Sequence, residues 1–439
     1  MTILQGERAD TADQGDADEL ASTAIIELAG RARAASRVLA RSTRAQKDGA
    51  LVARAEALVR ATPEILAGNA QDLERGRVSG MSEGLLDRLA LDESRIRAIA
   101  DSLLEVAALP DPVGAVVRGS TLANGRRLRQ LRVPMGGIGV IYEARPNVTV
   151  DVAGLALKSG NAVLLRGGSA AENSNSAIIG TLRAALDTYG LPADLVQSID
   201  EHGRPGVRAL MRARGHVDLV VPRGGAGLIQ TVVRESRVPV IETGVGNCHV
   251  FVDSTAELDM ALEILINSKT HRVGVCNAAE TLLVHSDVAE AFLPGALSAL
   301  AERGVRIHGD DRTRAIAPQG VEVLEATHED WATEYLDYEI AVRVVDDFDQ
   351  ALVHIREFST GHTEAIVTSS LQAAERFTAE VDAAAVIVNA STRFTDGGQF
   401  GLGAELGIST QKLHARGPMG LEELTTTKWV VTGDGQIRA

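Results

Sequence analysis

The chain has 439 residues, 45% hydrophobic and 3% aromatic, with 44 basic against 59 acidic side chains for a net charge of −15. A chain of this length exceeds what one core serves, so two domains are expected. No run approaches the 18 apolar residues of a membrane span, and the first residues lack the basic-then-apolar layout of a secretory leader, so a cytoplasmic protein with no membrane contact is expected. The acidic balance and the scarcity of aromatics disfavour nucleic acid as a partner, because neither phosphate tracking nor base stacking is provided for.

Two cysteines, Cys248 and Cys276, cannot build a disulfide framework, and no Cys/His spacing suits a zinc site. No metal is expected. Residues 1–20 hold six acids against one base and almost no large apolar side chain. Residues 1–18 therefore read as a disordered acidic tail.

From about Asp18 to Leu109, apolar residues recur at three-and-four spacing (Ile25, Leu28, Ala29, Ala32; Leu51, Ala55, Leu58, Val59), which predicts a helical lead-in. Pro110 and Pro112 stop it. The basic stretch Arg118–Arg132, with Asn124-Gly125 inside it, predicts a hairpin. After Pro134 short apolar runs alternate with helical patterns. Strands are predicted at Ile138–Tyr142, Ala162–Arg166, Val217–Val221, Val238–Ile241 and His249–Val252. Helices are predicted between them at Val148–Lys158, Ser174–Tyr189, Pro205–Arg214 and Gly227–Glu235, with Gly160 and Gly190 as stops.

Strands buried on both faces and separated by helices imply a parallel, doubly wound sheet. A second α/β series follows. Its strands are predicted near Glu280–His285, Ile340–Val345, Ala365–Val367 and Val386–Asn389, and its helices at Leu258–Lys269, Val288–Arg303, Phe348–Phe358 and Leu371–Glu380. The tail Thr425–Arg438 alternates like a strand pair around Gly433-Asp434-Gly435.

Chemistry concentrates in Asn267-Ser-Lys-Thr-His-Arg-Val-Gly-Val-Cys276-Asn277, where a cysteine follows a glycine turn and is preceded by Lys269, His271 and Arg272. Positive neighbours stabilise a thiolate, the species that attacks acyl carbons, and a turn leaves N–H groups free to hold the resulting oxyanion. The same local features also suit an inert, small hydrophobe. Glu242 stands 34 residues before Cys276, at the end of an expected strand and ahead of glycines; it is either a site carboxylate or a turn acid. Val220-Val-Pro-Arg-Gly224-Gly225-Ala-Gly227 runs from strand through glycines into a helix, which suits a dinucleotide phosphate or an ordinary βα turn.

In order and spacing these elements resemble the aldehyde dehydrogenase superfamily. The blocks Tyr142-Glu-Ala-Arg-Pro-Asn-Val-Thr-Val-Asp151, Leu157-Lys-Ser-Gly-Asn-Ala-Val-Leu-Leu-Arg-Gly-Gly168, Thr270–Asn277 and Phe400-Gly-Leu-Gly-Ala-Glu-Leu-Gly-Ile-Ser-Thr410 resemble its branch that acts on γ-glutamyl phosphate. The resemblance implies an aldehyde dehydrogenase-like α/β fold: two doubly wound domains plus a small β oligomerisation element. Residues 19–117 and 133–250 would form the cofactor-binding domain, 251–410 the catalytic domain, and 118–132 with 411–439 the oligomerisation element.

The resemblance further implies Cys276 as nucleophile, its own N–H and Asn147 as oxyanion donors, and Glu242 at the position of the base that activates water in hydrolytic relatives. Glu143 stands where the superfamily has its oxyanion-holding asparagine, and a carboxylate there would oppose an oxyanion. Arg166 takes the place of a ribose-binding lysine, and Ser169 replaces the glutamate of NAD-selective relatives. That exchange favours a 2′-phosphate and hence NADPH/NADP. Gly224 and Gly225 would face the cofactor phosphates and Glu334 the nicotinamide ribose. The implied reaction reduces L-glutamyl 5-phosphate through a thioester to glutamate 5-semialdehyde in proline biosynthesis. Arg145, Lys269, His271 and Arg272 are the expected phosphate and carboxylate ligands. The expected partners are a second copy of the chain, as a homo-oligomer, and glutamate 5-kinase, which makes the acyl phosphate. The alternative is a hydrolytic dehydrogenase that yields a free acid.

Overall fold

The computed structural model describes residues 3–143 and 145–438, with side chains from residue 17 onward. The chain divides into two compact units, 1–242 with 401–407 and 419–439, and 243–400 with 408–418.

In the first unit five helices come first: α1 (Ile3–Leu39), α2 (Arg44–Arg60), α3 (Thr62–Val78), α4 (Glu83–Leu89) and α5 (Glu93–Ala108). The backbone of 3–18 continues α1, in place of the expected disordered tail. The segment has no proline, and its Ala, Glu and Gln residues carry good helix propensity. Thr43 and Gln46 form a reciprocal capping box at the start of α2, worth about 1 kcal/mol.

The basic hairpin is β1 (Val116–Thr121) and β2 (Arg127–Pro134), turning through Gly125 at φ +81°. The C-terminal strand Thr425–Thr432 pairs antiparallel with β2 to complete a three-stranded sheet. The expected strand pair at the terminus is thus one strand, since 433–438 returns no second ladder. Val116, Val117, Trp429 and Val431 stay exposed on this sheet.

The body of this unit is a four-stranded parallel sheet in the order β5 (Val196–Ser198), β4 (Ala162–Arg166), β3 (Gly137–Tyr142), β6 (Leu219–Arg223). Every residue of β3 is buried, as befits a central strand covered on both faces. The connecting helices are α6 (Pro146–Lys158), α7 (Glu172–Tyr189), α8 (Gly203–Arg212) and α9 (Ala226–Glu235). Helices α1 and α8 pack together against one side of the sheet, while α2 and α5 pack over α6 and α7. Gly190 ends α7 in the left-handed conformation at φ +89°, as its place in the sequence predicted. Val238–Ile241 is not a strand. Pro239 lacks the N–H a ladder needs, and only an isolated bridge from Val240 to Val220 forms.

The second unit is a seven-stranded parallel sheet in the order β10 (Val323–Glu325), β9 (Arg306–Gly309), β11 (Glu339–Val345), β8 (Ala279–His285), β7 (Cys248–Val252), β12 (Thr363–Val367), β13 (Ala385–Val388). Strand β7 is central here, so the boundary falls at Thr243 and not after residue 250. Residues 408–418, with the two-residue pair Ile408–Ser409 and Gly417–Pro418, also belong to this unit.

On β7, Val250 and Val252 face a core shared with α10 (Leu258–Thr270) and α11 (Ser286–Ala301). Phe251 points the other way and meets Phe348 edge-to-face at 5.7 Å on α14 (Phe348–Phe358), in a core that also takes Phe377 of α15 (Leu371–Glu380). Such a ring pair adds about 0.5–1.5 kcal/mol beyond burial. The short helices α12 (Asp311–Ile316) and α13 (His328–Ala332) lie between β9 and β11 in the chain. Among the described residues no helix is long and apolar enough to cross a membrane.

Candidate active site

Cys276 lies in the turn between α10 and β8, half-buried at the amino end of that strand. Three sets of contacts fix the turn. Gly246 lies against its backbone so closely that any Cβ there would run into the Cys276 carbonyl, which only glycine permits. Buried Asn277 donates from Nδ2 to the Thr395 carbonyl at 2.8 Å, and Thr392 Oγ1 donates to the Asn277 carbonyl at 2.7 Å. Cys248 donates from Sγ to the Cys276 carbonyl at 3.1 Å from below. Burial, with the charge of Glu364, pushes the Cys248 thiol well above the usual range, so it stays a protonated strut.

Glu334 accepts the Gly246 N–H at Oε1, 2.7 Å away, and so braces the same loop. Burial raises its carboxyl, opposed by that N–H and by Lys269.

Lys269 is not available to a phosphate. Its Nζ lies 2.6 Å from Glu280 Oε2 with both side chains fully buried, and Glu280 Oε1 accepts the Leu336 N–H at 3.3 Å. Burial drives Glu280 up to about 7 and lowers Lys269, each partner holding the other partly in its charged form. The clue was in the sequence: Lys269 follows Ala261 and Leu265 at four-residue steps, on the inward stripe of α10.

His271 and Arg272 are exposed beside the cysteine turn. Arg393, which sequence reasoning missed, joins them in the 3-10 turn Thr392–Phe394 and donates from Nε to His271 Nδ1 at 3.4 Å. Burial lowers the Arg393 guanidinium, while Asp396 and Cys276 draw it back up and Arg272 repels it. Only the fold reveals Arg393, because it is brought to Cys276 from more than a hundred residues away by the Asn277 bonds.

In the first unit the expected cofactor groups gather at the carboxyl ends of β3, β4 and β6. Arg166 ends β4 with its side chain 16% exposed, Nη1 3.9 Å from Asp200 Oδ1 and Nε buried without a partner among the described residues. Asp200 Oδ1 also accepts the Gly167 N–H at 2.8 Å. Exposed Ser169 follows in the 3-10 turn Ser169–Ala171.

Gly224 and Gly225 form the turn from β6 into α9. The Gly225 N–H donates to Glu143 Oε1 at 2.8 Å, and a Cβ on Gly224 would stand 2.7 Å from that carboxyl. Glu143 is thereby committed to the glycine turn. Its carboxylate stands in for an anion there, and with the orphaned Arg166 Nε this shows a donor set suited to a dinucleotide phosphate.

Asn147 sits exposed in the first turn of α6 and donates from Nδ2 to Asp151 Oδ2 at 3.3 Å. Arg145 is the N-cap residue of α6 and half-buried. Glu242 is half-buried in the irregular segment after Ile241. Among the described residues no group of side chains could hold a metal ion.

One α/β unit thus carries an accessible thiol on a braced turn, and the other a glycine turn that donates to a carboxylate. The sequence model of the aldehyde dehydrogenase family matches residues 9–335. Gamma-glutamyl phosphate reductase of Thermobifida fusca is 61% identical over 94% of this chain and 98% of its own, and that of Kineococcus radiotolerans is 61% identical over 94% and 96%.

The crystal structure of gamma-glutamyl phosphate reductase from Thermotoga maritima superposes with a TM-score of 0.91 at 50% identity, covering 94% of this chain and all of that one. An acetylating aldehyde dehydrogenase from Geobacillus thermoglucosidasius shares the fold, with a TM-score of 0.72 at 18% identity over 96% of this chain and 99% of its own. The chain belongs to the aldehyde dehydrogenase family, in its gamma-glutamyl phosphate reductase branch.

Proposed function

We propose that the chain reduces L-glutamyl 5-phosphate to L-glutamate 5-semialdehyde and phosphate, with NADPH as reductant, as a step of proline biosynthesis. One observation carries the reading: of two cysteines, only Cys276 is accessible, on a braced turn beside His271, Arg272 and Arg393. The Cys276 thiolate attacks the acyl carbon, the C–O bond to phosphate breaks, and phosphate leaves toward those cations. The Cys276 N–H holds the oxyanion of this step. NADPH, when bound, supplies the hydride that converts the thioester to a thiohemiacetal anion. Collapse of that anion expels the Cys276 thiolate and frees the aldehyde.

Arg166 holds the adenosine ribose, Ser169 leaves room for a 2′-phosphate, and the Gly224-Gly225 turn takes the pyrophosphate once Glu143 swings aside. Glu334 positions the Gly246 loop, and Glu242 has no water to activate in a reductive cycle. Purified enzyme given glutamate 5-semialdehyde should reduce NADP⁺ in preference to NAD⁺. Ser169→Glu should move the ratio of kcat/KM toward NAD⁺ by tenfold or so, since a carboxylate repels the 2′-phosphate and bonds ribose hydroxyls. A ratio unmoved by that change would mean the end of β4 does not face adenosine.

The three-stranded sheet serves, in this reading, to join copies of the chain, which would cover its exposed Val116, Trp429 and Val431. Val431→Glu should then lower the mass seen by light scattering to that of a smaller assembly. An unchanged mass would refute that role.

A further inference from the structure

Arg75, in the last turn of α3, donates from Nη2 to the Ser169 carbonyl at 2.7 Å. The same nitrogen donates to Asp72 Oδ1 at 2.8 Å. Asp72 is fully buried and cannot swing: it also accepts the Asn173 and Ser174 N–H groups, at 3.2 and 2.8 Å, and the Asn173 amide and Ser174 hydroxyl, at 2.9 and 2.7 Å. It therefore both caps α7 and anchors the guanidinium.

The rest of Arg75 is partly exposed. Its side chain is 46% exposed, and Nη1 forms an ion pair with the exposed Glu172 carboxylate, 3.7 Å from Oε2. One nitrogen is thus tied to the turn that carries Ser169, while the other meets an exposed carboxylate that a phosphate could displace.

We propose that Arg75 is a second cationic contact for the cofactor's 2′-phosphate, beside Arg166, and so determines NADP(H) selectivity. This rests on the reading that Ser169 faces the adenosine ribose. A guanidinium offers paired donors that match phosphate, and one already held in place by Asp72 loses little conformational freedom on binding. Arg166 alone is poorly placed to hold a dianion, since it shares its charge with Asp200. Asp72 in turn spreads its charge over the start of α7, so its attraction for Arg75 does not cancel that cation. Glu172 is the remaining acid. It is 55% exposed, opposes a phosphate, and should be the group whose removal helps NADPH.

Calorimetric titration of the full chain with NADPH, NADH, adenosine 2′,5′-bisphosphate and AMP tests this without turnover. Arg75→Gln should weaken NADPH and the bisphosphate about tenfold, the scale of one charge-assisted bond, and leave NADH and AMP within twofold. Arg75→Lys should recover part of the loss, and Glu172→Gln should tighten the two 2′-phosphorylated ligands. Equal weakening of all four ligands would show that Arg75 only props the turn, and no weakening of any would also overturn the proposal. Wild-type protein that binds NADPH and NADH alike would refute the underlying reading and the proposal with it. A wild-type preference abolished by Ser169→Glu but untouched by Arg75→Gln would remove Arg75 alone.

Discussion

Cys276→Ser is expected to lower turnover by more than about a thousandfold while NADPH binds as before. A serine hydroxyl has a pKa far above that of a thiol, so the nucleophile is lost and not merely weakened. The groups assigned to the cofactor lie at the end of β4, in the turns that follow β4 and β6, and on α3, so dissociation constants for NADPH should stay within twofold. Cys248→Ser is the matched control. Its hydroxyl can make the same bond to the Cys276 carbonyl that the buried thiol makes now, and activity should change by no more than a few-fold. Appreciable turnover in the Cys276 variant would show that the thioester route is wrong.

The two cysteines illustrate what the sequence discloses. The glycine turn and the cations around Cys276 were legible in its flanking residues, whereas the burial of Cys248 at the start of β7 comes from the fold. The parallel sheets were legible where strands are long and apolar, as in β3, β8 and β11. Strands β5, β9 and β10 were not: each has three or four residues, and Arg306-Ile-His-Gly309 holds a single large apolar side chain. Their pairing comes from neighbours already in the sheet, which no local pattern encodes.

The site divides in the same way. Arg166, Gly224 and Gly225 sit where strand ends predicted them, because a βα turn is a local object. Lys269 was misread because proximity in the chain to Cys276 outweighed its helical phase. Arg393 and Arg75 were invisible, since each reaches its place only through hydrogen bonds between segments about a hundred residues apart. Glu143 had been an awkward carboxylate in an oxyanion position, and its bond to Gly225 gives it a different place of work.

In the direction of oxidation, glutamate 5-semialdehyde and NADP⁺ should react at a rate that rises with inorganic phosphate and saturates. A reductase must keep water from the thioester, because hydrolysis would discard an activated substrate, so the acyl group needs phosphate as its acceptor. The cations grouped near Cys276 fit that need. Arg272 is exposed, and Arg393 is held toward it by the turn at Thr392–Phe394. Arg272→Gln and Arg393→Gln should each raise the phosphate requirement about tenfold or more, consistent with loss of a charge-assisted bond, and leave the KM for NADP⁺ within twofold.

Lys269→Met is expected to act differently. It strands the Glu280 carboxylate in a dry site, and breaking such a pair costs about 3–5 kcal/mol, so its signature is a fall in Tm with the phosphate requirement of the surviving enzyme near that of wild type. Steady oxidation that proceeds equally fast without phosphate and yields free glutamate would identify a hydrolytic dehydrogenase, restore a water-activating role to Glu242, and leave Arg272 and Arg393 as carboxylate ligands of the substrate.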